Sequence, residues 1–207
     1  MRHIANALLL VGMLWAAQGQ ARDKTMDFRG MTFSTDPKQF VERMLYLHGE
    51  IIDEGRMAQR SSQSQQVKEL SETLVRAHQS FDDRLKKQLK EQKPQSGAFT
   101  PRTNEERSTL ASEKATENKL KTLSGEAFDQ AFLAAQVSDH DRLLLSVLAG
   151  QQLFSGQPLG AVLAEMQPEL LKLREQAYQL LGQQAASLGT GGAGTGMSDE
   201  TKVDGKK

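Results

Sequence analysis

The chain has 207 residues, 25% of them charged and only 5% aromatic, and it has no cysteine. Basic and acidic residues balance at 26 each, so no overall field exists to gather nucleic acid or anionic lipid. The missing cysteines exclude a disulfide framework, a thiol nucleophile and a lipid-attachment cysteine, and the wealth of Leu, Ala, Gln, Glu and Lys favours helices over strands.

Residues 1–21 read as a secretory signal. Met1-Arg2-His3 is a positive start, Ile4–Ala17 an apolar run, and Gly19-Gln20-Ala21 a small-x-small cleavage site. The run is shorter than the roughly 20 residues of a spanning helix, so cleavage before Arg22 is expected, with no transmembrane segment left. Without Arg2 the mature charge is −1, and the protein is expected to be periplasmic or secreted.

Residues 22–36 show no helical period and read as an extended leader carrying Phe28, Met31 and Phe33. Asp36 followed by Pro37 is a helix start, a cap and then a ring that presets the first φ. Along this first helix Phe40, Met44, Leu47, Ile51 and Ala58 form the apolar stripe, with Val41, His48 and Gly55 at one edge and Glu54 at the other. The run from Arg60 to Gln66 breaks it. A second helix from Gln65 to about Lys90 aligns Val67, Leu74, His78, Phe81 and Leu85, with Asp82 and Asp83 nearby.

A polar connector over 91–103 contains Pro94, Gly97 and Pro101, and a short polar helix follows from Asn104, its expected cap, to about Leu123. Ser124-Gly125 ends it. On Phe128–Gly150, stepped at the helical angle, Asp129, Gln136, His140, Leu143 and Val147 share one stripe, with Leu133, Phe132 and Leu144 beside it. Gln157–Gly160 marks a turn. The last helix has Val162, Met166, Leu170, Leu173, Ala177 and Leu180 on one face, and Pro168 predicts a kink or two abutting pieces. Residues 186–207 are Gly-rich and polar, a composition expected to stay disordered. No strand pattern stands out. The expectation is an all-α, antiparallel four-helix bundle over 37–185, ferritin-like, with an extra short helix in the long connection.

Hairpin turns near Gln63 and Gly156 would bring His78, His140 and Gln136 to one level of this bundle, with His48 or Glu54 beside them. Two histidines and a carboxylate suit zinc, iron or copper, so no cofactor is required but a transition metal is a candidate. A di-iron site needs Glu three residues before each histidine, and positions 75 and 137 are valine. The competing reading makes His78 and His140 hydrogen-bonded core residues, and Glu54 a charge on the rim. Asp129 lies about 16 Å along its helix from His140, too far to share an ion, and reads as a structural polar residue.

The run Leu123-Ser124-Gly125 followed by FDQAFLAAQVSDHDRLL resembles the central motif of a "domain of unknown function" family of bacterial envelopes, often labelled predicted outer membrane proteins. In that family a histidine follows the motif's aspartate by eleven residues, as His140 follows Asp129. Gly55, Ala58, Val67 and His78 fall on its Gly, Ala, Val and His, and Pro168 on its helix-4 proline. The resemblance covers about Phe40 to Leu181 and implies a secreted, ferritin-like bundle. It also implies departures: the family's helix-1 glutamate falls on Ile51, its helix-4 histidine on Leu173, and the Asp before its helix-2 histidine on Ala77.

With no phosphate loop, nucleophile elbow or basic-aromatic surface, no enzyme and no nucleic-acid partner is expected. The expected function is an envelope-associated binding or interaction module for a protein or small ligand. The alternative is a metal- or small-ligand-binding ferritin-like protein with a stress or redox role.

Overall fold

The computed structural model describes residues 24–89 and 99–190. The signal-like segment and most of the Gly-rich tail lie outside these residues. The expected leader is a hairpin, β1 (Thr25–Phe28) antiparallel to β2 (Met31–Ser34), with Met26 opposite Phe33. Its two-residue turn has positive φ at both Arg29 (53°) and Gly30 (82°), the backbone that matches strand twist. These strands went unread in the sequence because Arg-Gly is a weak turn signal and each strand has only four residues. Phe33 is fully buried and anchors the hairpin on the bundle.

Four long helices follow, with a fifth in the connection. Helix α1 (Pro37–Ser61) starts where Asp36 accepts from the Gln39 amide at 2.9 Å. A three-residue loop leads to α2 (Gln65–Gln88), capped by Ser64. Helix α3 (Asn104–Thr122) is capped by Thr103, one residue before the expected Asn104, because Thr103 and Glu106 form a reciprocal capping box. Helix α4 (Gly125–Leu153) turns at Gly156, φ +74°, into α5 (Pro158–Thr190).

Helix α1 packs mainly on α2, and α4 on α5, while α1 also touches α4 and α2 touches α5. The helices therefore run around the core in the order α1, α2, α5, α4. Neighbours are antiparallel, and α2 faces α4 across the bundle axis. The α1–α4 packing is tight at Gly150, where an added Cβ would lie 2.6 Å from Phe40 Cζ and 2.5 Å from Leu163 Cδ1.

Helix α5 is one continuous element through Pro168 rather than two abutting pieces, and it continues to Thr190, five residues past the boundary expected at 185. Proline removes one ladder donor, and burial of Leu163, Met166, Leu170 and Leu173 on the same face offsets that local loss. Among the described residues no helix is long and apolar enough to cross a membrane.

Helix α3 is the polar one, burying only Glu106, Glu113 and Leu120. Arg43 ties it to the hairpin and to α1. Its guanidinium donates to the Thr32 carbonyl at 2.9 Å and to Glu105 at 2.8 Å, sits 3.7 Å from Glu106, and lies over the Phe33 ring.

Candidate functional site

The apolar stripes of α1, α2 and α4 each carry one histidine at mid-height, and all three histidines are fully buried. Their rings stand in a column with His78 in the middle, 5.0 Å from His48 and 5.3 Å from His140 between centroids. His78 Nε2 and His140 Nε2 approach to 3.3 Å across the axis.

The partners determine which nitrogens carry hydrogens. His140 Nδ1 lies 2.7 Å from the Gln136 main-chain carbonyl, which can only accept, so Nδ1 carries the hydrogen and Nε2 presents a lone pair. His48 Nδ1 lies 2.8 Å from Asp82 Oδ1 and donates in the same way, leaving Nε2 as the ring's other nitrogen. His48 Nε2 and His78 Nδ1 are buried without a partner. Burial holds His78 well below the ordinary histidine value, helped by the two rings beside it. Burial likewise lowers His140 to about 4.

A second polar group adjoins this column. Glu54 is 2% exposed, which overturns its reading as a rim charge: α3 and α4 cover the edge of the α1 stripe that a lone helix would leave in water. Its Oε2 accepts from Gln136 Nε2 at 2.7 Å. Glu54, Glu113 of α3 and Asp139 of α4 are all buried, and one oxygen of each lies within 4.8 Å of the others. Arg142 pairs with Glu113 and lies 3.5 Å from Asp139. Burial pushes the carboxyls of Glu54 and Asp139 up, reinforced at Glu54 by the charge of Glu50 and at Asp139 by that of Glu54.

Of the residues singled out by sequence, His78, His140, Gln136, His48 and Glu54 thus lie in one connected interior network. Asp129 is buried on the same helix nearer its start, and one of its oxygens has no partner. Glu113, Asp139 and Arg142 were missed. Asp139 and Arg142 flank His140 in the polar run SDHDR, a signal that was present, whereas nothing within α3 shows that Glu113 turns inward.

A chain of this kind is an antiparallel four-helix bundle with a buried histidine–carboxylate centre and a polar helix laid across the long connection. It belongs to the family described as Domain of unknown function (DUF4142), whose model matches residues 26–180. No curated protein matches the chain. Among solved structures it is similar to one titled "CopM in the Cu(II)-bound form", with TM-score 0.58 and 13% identity, covering 71% of this chain and 96% of that one. At that identity the likeness speaks for the fold.

Proposed function

We propose that the protein is an exported, envelope-associated helical bundle that binds a transition-metal ion in its interior, with His78 and His140 as the first ligands. The carrying observation is the pair of Nε2 atoms 3.3 Å apart. Two nitrogens on one tetrahedral ion, with bonds of about 2.0–2.1 Å, stand at about that separation. The donor chemistry fits as well: His140 gives its other N–H to a carbonyl and His48 to a carboxylate, the outer-sphere arrangement of metal-binding imidazoles. His48 Nε2, buried and unpartnered, is the next donor along the column.

Imidazole donors suit copper and zinc, and copper is the first ion to try because the similar structure is titled as its Cu(II)-bound form. A copper ion there would give the alternative stress or redox role its chemistry. The protein acts by holding its ligand and turns over no substrate. Export rests on the signal-like N-terminus, with the mature chain starting at Arg22.

A second reading has an observation of its own. His78 Nε2–H can donate directly to the His140 lone pair, leaving a hydrogen-bonded core pair that needs no ion. Elemental analysis of untagged protein purified from periplasm separates the two. Stoichiometric copper or zinc, lost in His78→Ala and in His140→Ala, is expected; metal-free protein that takes up neither ion on titration would leave the core-pair reading. Intact mass of the same sample should match a chain beginning at Arg22, and retained Met1 would sink the export claim.

A further inference from the structure

We infer that Glu54, Glu113 and Asp139, together with the amide oxygen of Gln136, form a second site for a hard divalent cation, separate from the histidine pair.

Three carboxylates from three different helices converge here, at 2%, 3% and 8% exposure, out of reach of the water that relaxes surface acid clusters. One oxygen of each lies within 4.8 Å of the others, close enough for all three to reach a single ion.

The second observation is Gln136. Its side chain is fully buried, its amide nitrogen is spent on Glu54 Oε2 at 2.7 Å, and its amide oxygen is left without a partner beside that carboxylate. Asp139 Oδ2 is also buried and unpartnered. A neutral carbonyl oxygen among carboxylates is a donor set for calcium or manganese and a poor one for copper.

Charge points the same way. Three acids face one guanidinium, that of Arg142, and Glu50 and Glu117 add negative field from the flank, against Lys121 nearby. In the ion-free interior that imbalance is met by protons on Glu54 and Asp139, whose carboxyls burial pushes up, and a divalent cation would take their place. Arg142 is about a fifth exposed, so its side chain has a route to solvent. It holds the place a cation takes, and it swings outward when the ion enters.

The test uses full-length mature protein stripped with chelator, titrated with Mn²⁺ by electron paramagnetic resonance and with Ca²⁺ by calorimetry. One saturable equivalent is expected. Glu113→Gln should weaken it by about tenfold or more, through loss of a charged ligand. Arg142→Gln should tighten it, because the competing guanidinium is gone. His78→Ala should leave Mn²⁺ binding unchanged while removing copper, and Glu113→Gln should do the reverse, so failure of one site is readable apart from the other. No saturable binding, or binding indifferent to Glu113→Gln, would overturn the inference. If Glu113→Gln fails to fold, Arg142→Gln decides: affinity no higher than wild type also overturns it.

Discussion

Replacing His140 by Leu in the metal-free protein tests the burial argument most directly. Burial holds the folded imidazole at about 4, against 6.5 for an ordinary histidine. The unfolded chain therefore binds the proton more readily, and stability due to this group is lost as pH falls through 6.5 and on down to about 4. Between about pH 8 and about pH 5 that loss is about 2 kcal/mol, or about 4–8 °C in thermal midpoint for a domain this size. Glu54 and Asp139 pull the other way, since their raised folded values mean stability present at low pH and lost as pH rises. The raw wild-type profile mixes both signs, so the informative quantity is the difference between His140→Leu and wild type. Leucine also strands the His78 Nε2–H, a cost of about 1–3 kcal/mol that does not vary with pH. Urea unfolding in chelator at several pH values should show the variant converging on wild type by about 2 kcal/mol as pH drops. Parallel curves would mean His140 is solvated or not neutral, and the account of the column would fall with it.

Glu54→Gln keeps the hydrogen bond to Gln136 without the charge, so it should stabilise the fold above neutral pH and do little near pH 5; thermal melts across that range check it. Arg43→Ala leaves buried Glu106 without its cation and cuts the tie between hairpin, α1 and α3; a loss of about 3 kcal/mol is expected in urea unfolding, with protease cutting first in the hairpin. Gly150→Ala drives a methyl onto Phe40 and Leu163, and the clash should outweigh the helix-propensity gain of about 1 kcal/mol, giving a net loss of about 1–2 kcal/mol. A midpoint raised by this substitution would refute the packing at that crossing.

The bundle was legible because its signals are local and repeated. The stripes of α1, α2 and α4 obey the helical period, and Asp36-Pro37 and Ser124-Gly125 punctuate them in ways tied to backbone chemistry. The histidine column followed from those stripes plus two turn positions. The acidic half did not. Glu54 was left between the histidine cluster and the rim because its burial depends on where α3 lies, and α3 is positioned by Arg43 and Arg142, contacts distant in sequence. At Pro168 the two-piece alternative fails, because one missing donor does not break a helix whose inner face is already buried.

The contact of His78 with His140 joins helices that are otherwise not close neighbours, one from each hairpin. Apolar layers of Leu, Val and Phe tolerate sliding, since a displacement of one turn, about 5.4 Å, still sets hydrocarbon against hydrocarbon. The imidazoles do not: the same slip would bury each ring among aliphatic groups with its hydrogen bond broken. The pair thus works as an index mark that sets the axial alignment of the two halves. Replacing both histidines with leucine should raise the unfolding free energy and yet broaden side-chain methyl resonances, the mark of a bundle free to settle in several alignments; sharp resonances would show that shape alone aligns the two halves.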